Sequence, residues 1–177
     1  EPLGVVGLIT PWNFPIAIPA WKMAPALAYG NAVVFKPADL VPGSAWALAD
    51  ILHRAGLPPG VLNLVMGRGA VVGQALLDDA RVNGISFTGS VATGQRVAQA
   101  CLQRFAKFQL EMGGKNPFIV LDDADLAVAV NCAVNSGFFS TGQRCTASSR
   151  VIVTEGVHDR FVAAMVERMK ALKVGDA

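Results

Sequence analysis

Short apolar runs closed by glycine or proline alternate with longer stretches in which apolar residues recur every three or four positions. The first kind reads as buried strand, the second as amphipathic helix. Strands are expected over 5–10, 32–35, 61–65, 83–87, 107–111, 116–121 and 151–153. Helices are expected over 16–29, 44–55, 70–77, 90–104, 126–139 and 158–172. Pro11 closes the first strand, and Gly30-Asn31 stops the first helix. Ser44 is placed as an N-cap, and Gly56 lies just past the end of the same helix. The strands are continuously apolar and helices separate them, so they belong to a parallel sheet covered on both faces. Gly113-Gly114 marks a boundary between two domains, residues 1–113 and 114–177.

Composition narrows the class. The chain has 177 residues, 53% hydrophobic and 16% charged, enough for a sizeable core. The net charge of +2 comes from scattered Lys and Arg, which gives no footprint for nucleic acid. The apolar runs are too short to span a bilayer, so no membrane association is expected. The start, Glu1-Pro2-Leu3-Gly4, has neither an initiator Met nor the pattern of a signal peptide, so the chain is expected to begin partway through a longer one or to have been trimmed. Cys101, Cys132 and Cys145 are odd in number, form no CxxC, and have no His at ligand spacing. No metal site is expected, and a reducing compartment, the cytoplasm, fits best.

Three segments bring polar chemistry into this apolar chain. Cys145 sits in Gly142-Gln143-Arg144-Cys145-Thr146. A free thiol is usually a packing residue. Its small and polar neighbours describe a loop after a helix, and on them alone a reactive thiol is as well served. Cys101 and Cys132 fall inside helical patterns and are assigned to packing. Glu111 ends an apolar strand just before two glycines, where a backbone can approach a ligand closely. It is either a solvated charge or a base. Asn13, in Pro11-Trp12-Asn13-Phe14-Pro15, is either a turn residue or an amide donor. Lys36 lies at the end of a parallel strand, where α/β sheets bind ligands. The segment Phe87-Thr88-Gly89-Ser90 leads from a strand into a helix start, where free N–H groups and the helix dipole suit a pyrophosphate. Gly67-Arg68-Gly69 also opens a helix after a strand, a weaker signal of the same type.

Taken in register, these segments resemble the NAD(P)-dependent aldehyde dehydrogenase superfamily. Glu111 precedes Cys145 by 34 positions and Lys36 follows Asn13 by 23, as in that family. The resemblance implies an α/β fold with a Rossmann-like parallel sheet and flanking helices in a coenzyme-binding domain, followed by the start of a second α/β catalytic domain carrying the nucleophile. It implies Cys145 as nucleophile, Glu111 as general base and Asn13 as oxyanion donor. The implied cofactor-binding residues are Thr10, Trp12, Lys36, Asp39, Gly69, Phe87, Gly89, Ser90, Met112 and Gly113, with Arg68 in support. NAD is the expected cofactor. Asp39 would repel a 2′-phosphate, yet it is one methylene shorter than the glutamate common at this place, which leaves NADP open.

The substrate would be a small aldehyde. The run from Gly137 to Cys145 is similar to bacterial semialdehyde dehydrogenases of the 2-oxoglutarate semialdehyde type. The parent protein would be a homodimer or homotetramer. By the same resemblance the chain lacks opening helices, part of the oligomerisation element and a second glutamate motif. It is therefore expected to expose apolar surface and to be weakly active alone.

Overall fold

The computed structural model describes residues 1–176, which form two compact units, 1–112 and 113–176. The first is built on a five-stranded sheet of β1 (Val5–Ile9), β2 (Ala32–Lys36), β3 (Leu62–Leu64), β4 (Val82–Gly89) and β5 (Lys107–Met112). The strand order is β3-β2-β1-β4-β5, and every pair is parallel. Helices α1 (Ala17–Ala28), α2 (Pro42–Arg54), α3 (Gln74–Asp78) and α4 (Val91–Gln103) make the crossovers.

Alternation along the strands sends side chains to two cores. Val6, Leu8, Val33 and Phe35 meet Met23 of α1 and Ala45 of α2 on one face. Ile85 and Phe87 meet Leu76, Leu77, Val97 and Cys101 of α3 and α4 on the other, where Val5, Ile9 and Val34 pack at the margin. Both faces carry helices, which is why the strands read as unbroken apolar runs. Burial of a side chain such as Phe35 contributes about 1.5–3 kcal/mol. Between β1 and β4 the chain's winding reverses, which leaves a crevice at the carboxyl ends of these two strands.

In the second unit β6 (Asn116–Val120) and β7 (Ser148–Val153) form a parallel pair. Helices α5 (Leu126–Phe138) and α6 (Glu155–Lys170) cover one face, around Val120, Ala129, Val130, Ala133, Val157 and Phe161. Ile119 and Ile152 are exposed. Asp125 caps α5 by accepting a hydrogen bond from the Val128 N–H at 3.0 Å.

Several local expectations are corrected. Ser44 is not an N-cap: α2 starts two residues earlier with Pro42 at its first turn, Val41 is the cap residue, and Ser44 is already helical. Proline's fixed φ suits that first turn and removes a donor that would be unsatisfied there. The helix expected over 70–77 is a π turn, Gly69–Gly73, followed by α3. The last helix begins at Glu155, not His158. Cys132 is exposed and does not pack, because the buried face of α5 runs through Ala129, Val130, Ala133 and Val134 and leaves residue 132 pointing away.

Candidate active site

Strand register brings the polar residues of the first unit to one edge. Ile9 pairs with Lys36 on one side and with Phe87 on the other, Thr88 pairs with Glu111, and Gly89 pairs with Met112. Thr10 follows Ile9, and Trp12 and Asn13 follow in the turn before α1, so all of these lie at the carboxyl edge of the sheet.

Thr10 is 4% exposed, and its Oγ1 has no hydrogen-bond partner among the described residues. A buried hydroxyl of this kind calls for a polar partner. Lys36 is almost fully buried and donates from Nζ to the Pro37 carbonyl at 2.6 Å. Burial lowers its pKa below the usual lysine value, and the Asp39 carboxylate, 3.9 Å away, opposes that fall. Asp39 itself is exposed, as is Trp12.

The turn from β4 to α4 is shaped for close approach. A Cβ at Gly89 would lie 2.6 Å from Cζ of the buried Phe87 ring. One at Gly94 would run into the Met112 Sδ. Ser90 caps α4, accepting from the Thr93 N–H at 3.3 Å and donating to the Thr93 hydroxyl at 2.9 Å. Gly69 opens the π turn and lines a 190 Å³ cavity with Gln74, Thr93 and Arg96, while Arg68 is exposed. The orphaned Thr10 hydroxyl, the buried lysine and the glycine turn at a helix N-terminus together fit a dinucleotide.

Glu111 lines a groove of about 440 Å³ on the sheet face that carries Val6 and Leu8. Lys22 of α1 reaches into the same groove and donates to Ser86 Oγ at 2.8 Å and Gln109 Oε1 at 2.9 Å. Burial drops the Lys22 pKa from the usual 10.5 to about 8, and the negative charge of Glu111 opposes the drop. Sequence patterning missed this lysine. It reads as one more polar residue on a helix, and its partners are 64 and 87 positions away.

Cys145 and Gly113 belong to the second unit. Cys145 is half-buried in the turn between α5 and β7. Ahead of it runs a short 3-10-type turn, Phe139–Gly142, in which Ser140 (φ 54°), Thr141 (φ 53°) and Gly142 (φ 70°) are all left-handed. Arg144 donates to the carbonyls of Asn135 at 2.6 Å and Ser136 at 3.1 Å, and lies 5.1 Å from the Phe139 ring centroid. Arg144 thereby serves the exposed carbonyls at the end of α5. The Cys145 N–H makes no backbone–backbone hydrogen bond among the described residues.

The sequence profile of the aldehyde dehydrogenase family matches residues 1–177. The chain is 54% identical over 176 residues to the α-ketoglutaric semialdehyde dehydrogenase of Bacillus subtilis and 48% identical to the betaine aldehyde dehydrogenase of the same organism. It covers 36% of each of these relatives, and each alignment covers 99% of this chain. The crystal structure of betaine aldehyde dehydrogenase from Staphylococcus aureus in complex with NAD+ superimposes with a TM-score of 0.96 at 40% identity, over 99% of this chain and 35% of that one. With the profile matched from end to end and the fold reproduced at this identity, the chain belongs to the aldehyde dehydrogenase family.

Proposed function

We propose that this chain carries the nucleophile and much of the dinucleotide site of an NAD(P)-dependent aldehyde dehydrogenase, which oxidises an aldehyde to a carboxylic acid. The observation that carries this reading is that the strand pairing brings Thr10, Lys36, Gly89 and Glu111 to the sheet's carboxyl edge. The bound dinucleotide supplies the hydride acceptor. Lys36 and Asp39 suit a ribose, Thr10 and Trp12 border the cofactor, and Phe87, Gly89 and Ser90 leave room for a pyrophosphate at the α4 N-terminus. Gly69 supports the adenine side, and Met112 and Gly113 follow the base.

In this reading the Cys145 thiolate adds to the aldehyde carbon and forms a C–S bond. Asn13 and the Cys145 N–H hold the resulting oxyanion. Hydride leaves that carbon, and a thioester remains on Cys145. Glu111 then takes a proton from water, the water oxygen attacks the thioester, and acid and free thiol are released. A thiol that must stay reduced suits the cytoplasm. The names of the relatives point to a semialdehyde of a keto acid as substrate, with betaine aldehyde as the competing choice.

Following absorbance at 340 nm across an aldehyde panel, with NAD and NADP in parallel, tests the reaction and both specificities. Cys145→Ala is expected to abolish turnover and retain dinucleotide binding. Turnover in that variant would remove the nucleophile assignment. Glu111→Gln is expected to accumulate acyl-enzyme, seen as a mass adduct on the Cys145 peptide.

A further inference from the structure

We propose that Asn116 is a positioning residue for the nucleophile, its side-chain amide setting the backbone of the Cys145 turn. The inference rests on Cys145 being the nucleophile. The Asn116 Nδ2 donates to the Cys145 carbonyl at 2.6 Å and to the Ala147 carbonyl at 3.1 Å. One primary amide spends both hydrogens on the two carbonyls that flank Thr146. A hydroxyl has one hydrogen and could serve only one of them.

The rest of the turn shows why such a clamp matters. Arg144 ties the upstream end to the last carbonyls of α5. Ser148 ties the downstream end to the same helix, through its N–H to Ser136 Oγ at 3.1 Å and a 2.6 Å contact between the two hydroxyls. Between these anchors the one backbone hydrogen bond among the described residues runs from the Ala147 N–H to the Arg144 carbonyl at 3.1 Å. The turn is also entered through left-handed Ser140 and Thr141, a conformation that residues other than glycine keep only where the surroundings hold it. Asn116 is the side chain that reaches the middle of the turn from a remote strand.

Its own placement is well determined. Asn116 precedes Pro117, which restricts it to extended backbone. The pairing of β6 with β7 shifts at this point, from Asn116 opposite Ser148 to Pro117 opposite Arg150. Such irregularities re-aim side chains beside active sites. The carbonyl that Asn116 holds belongs to the peptide directly after Cys145. Releasing it frees ψ of Cys145, and with it the direction of the thiol and its N–H relative to the chain that leads into β7. Geometry of this kind changes rate more than binding.

The test compares Asn116→Asp, Asn116→Ala and Asn116→Ser in the complete protein. Asparagine and aspartate share a shape, but a carboxylate brings acceptor oxygens against two carbonyls. The readouts are kcat and KM for aldehyde and dinucleotide, the thermal midpoint, and the pH profile of iodoacetamide alkylation at the Cys145 peptide. Asn116→Asp and Asn116→Ala are expected to lower kcat about tenfold or more with the dinucleotide KM within about twofold, as loss of two hydrogen bonds in a reacting turn predicts. The alkylation profile should shift, and Asn116→Ser should fall in between.

Wild-type kcat and alkylation profile in Asn116→Ala and Asn116→Ser would overturn the inference. So would a loss of activity that tracks loss of thermal stability while the folded fraction alkylates as wild type, since Asn116 would then be structural only. If Asn116→Asp does not fold, the other two variants decide. Cys145→Ala separates the two claims. An active Cys145→Ala removes the nucleophile itself, whereas an inactive one beside wild-type behaviour at Asn116 removes only the clamp.

Discussion

The three cysteines differ in ways their neighbours in sequence only partly announce. Cys101 lies in the α4 core, and burial raises its pKa, with Arg104 nearby opposing the rise. Cys132 is exposed on α5, and Cys145 is half-buried in a turn. Iodoacetamide on the folded protein is therefore expected to label Cys132 and Cys145 and to spare Cys101 until denaturant is added. Peptide mass spectrometry reads the outcome directly, and early labelling of Cys101 would contradict the buried placement. At this scale the sequence motifs located the polar residues at strand ends, because glycine, proline and a lone charge stand out in an apolar chain. Lys22, Asn116 and Arg144 were not legible. Each is an ordinary polar residue locally, and its partners arrive through the fold.

Elements were legible where periodicity decided them and less so where turn chemistry did. The strands β1, β2 and β5 and the helices α1, α4 and α5 follow from apolar spacing within a residue or two. Ser44 looked like a cap because serine favours that place, but Pro42 had already started the helix. The π turn at Gly69–Gly73 has the spacing of plain helix, since apolar spacing does not distinguish one extra residue in a turn. The turn from β4 to α4 yields a prediction of its own. Gly89→Ala would place a Cβ 2.6 Å from the buried Phe87 ring, which has no flexible end to move aside. Overpacking of this sort costs about 1–3 kcal/mol. The variant is expected to lower the denaturant midpoint and to weaken dinucleotide binding, which calorimetry would measure. Gly142→Ala is expected to be worse for the nucleophile turn, because its φ is 70° and a Cβ there would sit 2.8 Å from the Gly137 carbonyl oxygen.

Stability of the whole molecule responds to Lys22 through proton linkage. Its pKa is about 8 in the folded chain against 10.5 ordinarily, so unfolded chains hold this proton more tightly. Below pH 8 both states are protonated, and the cost of burying the ammonium is fully present. As pH rises from about 8 to 10.5 the folded state releases the proton first, so the unfolded state binds more protons and stability rises through that window. Cys101 acts in the opposite direction above its ordinary value of 9.0, because its raised pKa keeps the folded thiol protonated while unfolded chains ionise. A wild-type profile alone therefore mixes the two. Lys22→Met keeps Cys101 and removes the ammonium, so the difference between the two proteins isolates the lysine. That difference should shift in favour of wild type between pH about 8 and 10.5 and stay level below it, read from urea midpoints at a series of pH values. A level difference throughout would mean that Lys22 is not held in the desolvated groove. Glu111→Gln offers a second reading of the same coupling. With the negative charge gone, the Lys22 pKa should fall further below 8, and the window should open at lower pH.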